Sequence, residues 1–220
     1  MPTILITGTN RGIGLALVKM YITQKYDVIA VCRKSSDALN KTSAQVIEGI
    51  DITNLNSLAQ LSSRLKGISI DILINNAGQW CNDSIDNLNF DSITDTYNTN
   101  TIGTLKTIYS LRNLFNSETK IAIISSKMGS IADNATGGRY GYRMSKAALN
   151  AAGKSLSIDF KKYGITVLLI HPGWVLTNMG GPNALITSEE SSNGIMNVIH
   201  NATIKDSGLF YSFDGTVIDW

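Results

Sequence analysis

Thr7-Gly8-Thr9-Asn10-Arg11-Gly12-Ile13-Gly14 is the stretch on which the fold of this chain turns. It follows a short apolar run, Thr3–Ile6, and opens a pattern that predicts a helix over 12–25. Glycines at such a junction let the chain turn sharply and let its backbone approach a pyrophosphate. The first turn of the helix adds free N–H groups and the positive end of its dipole. A glycine-rich turn alone is often only a loop, but a strand before it and a helix after it point to dinucleotide binding. Gly8, Asn10, Arg11, Gly12, Ile13 and Gly14 are therefore candidate cofactor residues.

The same alternation runs through the whole chain. Strand candidates are Thr3–Ile6, Val28–Cys32, Gln45–Ile50, Ile70–Asn75, Lys120–Ser125, Thr166–Ile170 and Leu209–Tyr211. Helices are expected near 12–25, 54–65, 91–115, 142–163 and 188–200. Continuous Val/Ile/Leu strands separated by helices imply a mostly parallel, seven-stranded sheet covered on both faces, a single doubly wound α/β Rossmann domain over residues 1–220. Thr53 and Asn54 offer N-cap chemistry for the second long helix, and Gly164 stands where the helix over 142–163 should stop.

Composition narrows the function classes. The 220 residues carry 43% apolar and 16% charged side chains with a net charge of +2, and no basic stripe of the kind nucleic acid demands. Two cysteines, Cys32 and Cys81, are too few for a disulfide framework and suggest a reducing compartment. Two histidines without an accompanying Cys or acidic cluster make a metal site improbable. No signal peptide and no run of apolar residues long enough to span a membrane is visible, so a cytoplasmic location is expected.

Charge also selects the dinucleotide. An NAD-type site places Asp or Glu at the end of the second strand to hold the ribose 2′-hydroxyl. Here that region reads Val31-Cys32-Arg33-Lys34. The missing acid and the guanidinium of Arg33, with Arg11 opposite in the turn, suit a 2′-phosphate. NADP(H) is the preferred cofactor and NAD(H) the alternative.

Of eight tyrosines, only Tyr21 and Tyr142 carry a lysine four positions on. A lysine one helical turn from a tyrosine can hold its ammonium near the phenol and lower a pKa that is ordinarily about 10. Tyr21–Lys25 lies late in the first helix, away from the strand ends where ligands bind, and is read as structural. Tyr142–Lys146 opens the longest helix and stands in better company, with Asn75-Asn76-Ala77-Gly78 in mid-chain and Ser125-Ser126 upstream.

In this order the motifs resemble the short-chain dehydrogenase/reductase family over essentially the whole chain, and more narrowly its C-factor and sniffer carbonyl reductase branch. The narrower likeness lies in Gly137 to Lys146, His171 to Pro182 and the ending Tyr211 to Gly215 with Trp220. The resemblance implies a hydride transfer between NADP(H) and a carbonyl or alcohol substrate. It assigns catalysis to Asn100, Ser126, Tyr142 and Lys146, with Ser125 as the off-by-one alternative to Ser126. It adds Asp51, Ile52, Asn75, Asn76, Ala77, Gly78, Pro172, Gly173, Val175 and Thr177, besides Tyr142 and Lys146, to the cofactor residues. Asn100 would hold a water linking Lys146 to solvent. The family also implies a homodimer or homotetramer; Ala147, Ala148, Ala151, Ala152 and Gly153 offer a small-residue helix face for close approach, either inside the subunit or across a two-fold interface.

Two departures from the usual pattern stand out. The interval from serine to tyrosine is long, and the segment after Thr177 is short, which reduces the helical lid over the substrate. Trp80 and Trp174 follow strand ends and either wall an apolar pocket or pack under loops. His171, before a proline, is read as a turn residue rather than a base. A non-catalytic cofactor-binding sensor of C-factor type is the rival reading. A serine hydrolase is disfavoured, because no Gly-x-Ser-x-Gly occurs.

Overall fold

Side chains along β1 (Thr3–Thr7) go alternately to two faces, Ile4 and Ile6 into one core and Leu5 into the other. A strand covered on both sides must be apolar throughout, which is why these segments read as unbroken Ile, Leu and Val. The computed structural model describes residues 1–220 and repeats this in β2 (Asp27–Val31), β3 (Gln45–Ile47), β4 (Ile70–Asn75), β5 (Phe115–Ile124), β6 (Thr166–His171) and β7 (Phe210–Ser212). The strands lie in the order β3-β2-β1-β4-β5-β6-β7, and every pairing is parallel. The doubly wound Rossmann architecture expected from the sequence is the fold of the chain.

The helices are α1 (Gly12–Thr23), α2 (Asp37–Asn40), α3 (Leu55–Arg64), α4 (Phe90–Tyr97), α5 (Thr104–Leu111), α6 (Tyr140–Lys161) and α7 (Ser188–Asn201). Leu17, Val18 and Tyr21 of α1 and Ile195, Met196 and Ile199 of α7 seal one face of the sheet. Leu58 and Leu61 of α3, Ile108 and Leu111 of α5 and Leu149 of α6 seal the other. The side chain of Asn54 caps α3 by accepting from Asn56 and Ser57, while Thr53 turns back to Asp51. Gly164, at φ +76, follows the end of α6. No helix is long and apolar enough to cross a membrane.

Three expectations are corrected. The helix predicted over 91–115 is α4 and α5 joined by a π-helical turn, Asn98–Gly103. Thr104 and Thr107 of α5 donate their hydroxyls back to the carbonyls of Asn100 and Gly103 in that turn. Phe115 already belongs to β5, which reaches back past Lys120 to pair with Ile70 across a register shift. The strand expected over Gln45–Ile50 stops at Ile47, because the chain turns at Gly49 (φ +85) before Ile50 donates to Cys32.

Tyr21–Lys25 is structural, as read. Tyr21 is wholly buried, and Lys25 lies beyond the end of α1 in the left-handed region (φ +61), so the two are not on one helical turn. Burial raises the pKa of Tyr21, and its hydroxyl has no hydrogen-bond partner. Tyr21→Phe should leave turnover unchanged and the unfolding free energy equal or higher by about 1 kcal/mol, since only an unpartnered hydroxyl is lost. Urea unfolding measures this; a loss above about 1 kcal/mol would contradict it.

Candidate active site

The strand order reverses between β1 and β4, and their carboxyl ends open into a cleft of about 1220 Å³. Ligands of doubly wound sheets bind at such a switch point. The turn after β1 is held there by the chain itself. Asn76 Nδ2 donates to the carbonyls of Thr7 and Gly8, 3.0 Å each, while Thr7 Oγ1 accepts from the amides of Asn76 and Ala77, 3.1 Å each. A Cβ on Gly14 would run into the Gly8 carbonyl, and one on Gly8 (φ +70) would sit 2.8 Å from Ala77 Cα. These two glycines are demanded by internal packing before any ligand arrives.

What the turn offers a ligand follows from its cap. Arg11 occupies the capping position of α1 and makes no side-chain bond to the first turn, whereas Asn54, Asn89 and Thr187 cap α3, α4 and α7. The leading N–H groups of α1 thus remain free at the cleft wall. Arg11 and Arg33 are exposed and both line the cleft. Asp51 lines it too. Burial pushes its carboxyl up, but hydrogen bonds from Thr53 and the cations Arg33 and Lys106 outweigh this and hold it below its ordinary value. Lys106, whose Nζ donates to the Thr53 carbonyl at 2.6 Å, had no signal in the sequence, because α5 brings it there from far along the chain. Free amides, two guanidiniums and no acid at the end of β2 fit a dinucleotide diphosphate with an additional phosphate near Arg33.

The groups expected to react sit on α6. Tyr142 and Lys146 are buried one turn apart, with Lys146 Nζ 5.8 Å from the Tyr142 ring centroid and donating to the Ile124 carbonyl at 2.9 Å. Burial pushes the phenol up to about 12, with the Ser126 hydroxyl pulling the other way. Burial also pushes the Lys146 ammonium down to about 8. The expectation that Lys146 lowers the tyrosine's pKa is therefore corrected for the protein alone. One N–H of the ammonium goes to the Ile124 carbonyl, and desolvation dominates both groups.

Of the paired serines, Ser126 lies beside the phenol and accepts from the Met128 amide at 3.2 Å. The Ser125 hydroxyl donates to Asn150. Asn100, in the π turn, spends its whole side chain on protein: Oδ1 accepts from Gln79 N–H at 2.8 Å, and Nδ2 donates to the Gln79 carbonyl and Ser145 Oγ. It stands near Lys146 nonetheless, since a Cβ on Gly78 would lie 3.1 Å from Asn100 Oδ1 and 3.9 Å from Lys146 Nζ.

Most of the expected cofactor residues share one wall: Gly8, Asn10 to Gly14, Arg33, Asp51, Ile52, Asn76 to Gly78, Tyr142, Lys146, Pro172 and Thr177. Asn75, Gly173 and Val175 stand behind it. Asn75 and Val175 are buried, the former with both side-chain polar atoms unpartnered. Gly173 lies against Ile186 and Phe213. His171 ends β6, and burial lowers it to about 4, so at neutral pH it is uncharged. Trp80 packs on Tyr142 with ring centroids 4.5 Å apart, while half-exposed Trp174 donates from Nε1 to the Gly180 carbonyl. Residues 178–187 form no helix, so the lid is reduced as expected.

Comparison with known proteins agrees with this geometry. The family profile described as "short chain dehydrogenase" matches residues 2–185. The 1-hydroxy-2-glutathionyl-2-methyl-3-butene dehydrogenase of Rhodococcus sp. (strain AD45) is 36% identical over 226 residues, spanning 100% of both chains. Carbonyl reductase Sniffer of D. melanogaster superposes with a TM-score of 0.93 at 33% identity over 100% of both chains. An NADPH-bound carbonyl reductase from chicken fatty liver does so at 0.92 and 31% over 100% of this chain and 99% of its own. The chain belongs to the short-chain dehydrogenase/reductase family.

The buried ammonium makes a pH prediction. Between pH about 8 and 10 the unfolded chain still holds the Lys146 proton that the folded chain has released, so folding gains free energy as pH rises. Measured by urea unfolding, the stability of the wild type relative to Lys146→Met should rise through that window by on the order of 1 kcal/mol per pH unit. A flat or falling difference would mean that the ammonium is not desolvated.

Proposed function

We propose that this protein is an NADP(H)-dependent carbonyl reductase whose general acid is Tyr142. The observation that carries the reading is the burial of Tyr142 and Lys146, with Ser126 beside the phenol, at one end of a cleft whose other end has the free amides and guanidiniums a phosphorylated dinucleotide needs. When bound, NADP(H) supplies the hydride.

The protein's own groups account for the rest. A phenol pushed up to about 12 stays protonated at neutral pH, which is the form that reduction of a carbonyl consumes. An alkoxide is a far stronger base than a phenolate, so Tyr142 gives its proton to the forming alkoxide readily. Ser126 donates a hydrogen bond to the same oxygen and shares its developing charge. Lys146 orients the nicotinamide ribose and favours the phenolate that remains. Arg33 and Arg11 hold the 2′-phosphate, and the first turn of α1 holds the diphosphate. Asn100 keeps Gln79 and Ser145 in register beside Lys146. Trp80 beside Tyr142, together with a lid that has no helix, supports an open site for bulky carbonyl compounds. Exposed Met144, Ala151 and Ile158 on α6 support a homodimer or homotetramer.

Tyr142→Phe should lower NADPH-dependent carbonyl reduction by about 10²- to 10⁴-fold while NADPH affinity stays within about twofold. Absence of wild-type turnover across aldehydes, ketones and quinones, with NADPH still bound, would favour the sensor reading. Arg33→Asp should lower the ratio of kcat/KM for NADPH over NADH by about tenfold or more. An unchanged ratio would refute the assignment of Arg33 to the 2′-phosphate.

A further inference from the structure

The start of α6 is backbone that does not form easily. Gly137, Gly138 and Arg139 are consecutive left-handed residues, at φ +63, +62 and +53, immediately before the helix that carries Tyr142. For Arg139, which has a Cβ, this conformation costs roughly 1–2 kcal/mol and persists only where surrounding structure over-determines it. Arg139 also makes no side-chain bond to the first turn it precedes, so α6 has no cap of its own.

Both deficits are met by one residue from a distant loop. Asp83 lies between β4 and α4, is 5% exposed, and has no salt-bridge partner. Its carbonyl accepts from the Arg139 amide at 2.9 Å, and its carboxylate Oδ2 accepts from the Gly141 amide at 2.9 Å. A carboxylate on the first N–H groups of a helix is favoured by the helix dipole, which accounts for an unpaired acid at this depth. Gly141 is itself clamped, since a Cβ there would sit 2.7 Å from Cys81 Sγ and 2.8 Å from Ile93 Cγ1. Tyr142 is the next residue. The loop that bears Asp83 also carries Trp80 against the Tyr142 ring and Gln79, tied to Asn100.

We propose that Asp83 is a positioning residue for the reaction, a long-range cap that sets where α6 begins and hence where the Tyr142 hydroxyl points. The inference rests on Tyr142 being the proton donor. Asp83 does not line the cleft. It acts by tying the β4–α4 loop, one side of the reacting region, to the helix that forms the other. A side-chain oxygen acceptor is what α6 requires, because no residue adjacent to the helix supplies one to its first turn.

The test is a set of Asp83 variants in the full chain, compared with a wild type first shown to turn over an aromatic aldehyde with NADPH. A wild type without turnover would sink the reductase reading. Asp83 would then be judged by amide exchange of the first turn of α6, which should quicken in the variants; unchanged exchange would overturn the proposal. Asp83→Ala, and Asp83→Leu to fill the space without an acceptor, should lower kcat by about 10- to 100-fold, the scale of a displacement near 1 Å. NADPH affinity, which depends on the far end of the cleft, should stay within about twofold. Asp83→Asn keeps an oxygen acceptor for Gly141 N–H and should recover most of the lost kcat. The proposal is overturned if kcat in the Leu or Ala variant stays within about twofold of wild type, or if kcat and NADPH affinity fall together with no recovery in Asp83→Asn.

Discussion

The desolvated ammonium of Lys146, held on the carbonyl of Ile124, is the constraint around which this site is arranged. Placing a lysine there at the carboxyl end of β5 fixes the first turns of α6 against the sheet and brings Tyr142 and Ser126 to one neighbourhood. Burial works against both ionisable partners, lifting the phenol and depressing the ammonium. The protein alone therefore holds a protonated tyrosine, the reagent for reduction.

At the other end of the cleft the chain has solved a packing problem with the same residues that are proposed to hold the cofactor. Asn76 and Thr7 lock the glycine turn onto the end of β4, and Gly8 and Gly14 leave no space for side chains even without a ligand. The turn is thus preorganised: its free amides stand in place because the sheet holds them. The π turn at Asn98–Gly103 does the equivalent for the middle of the site. It aims Asn100 inward at Gln79 and Ser145 and lets Gly103 lie 3.0 Å (as a Cβ position) from Ile52.

Much of this was legible in the sequence, for definite reasons. Strands buried on both faces leave unbroken apolar runs, so the four strands around Thr3, Val28, Ile70 and Thr166 could be read directly. Tyr142, Lys146 and Arg33 are legible as candidates because the chemistry expected of them depends on local spacing or on one strand end. What escaped reading depends on contacts between distant segments. The π turn has helical periodicity on both sides and no marker residue. Lys106 reaches Thr53 only once α5 is docked, and Asp83 finds Gly141 across 58 positions. The upward shift of the Tyr142 phenol was missed because spacing reports a neighbouring charge but not its desolvation. Asn75 and Val175 look like ligand residues in a motif, yet the pleat and an isolated bridge to Ile186 turn them inward.

The central claim is that this cleft passes a hydride from the nicotinamide to a carbonyl carbon. The most direct measurement is isotope transfer: wild-type protein, NADPH deuterated on both positions of nicotinamide C4, and an aromatic aldehyde, with the alcohol analysed by mass spectrometry. One deuterium on the carbinol carbon of every alcohol formed is the predicted result. Alcohol without deuterium, or NADPH bound and no alcohol at all, would contradict the account.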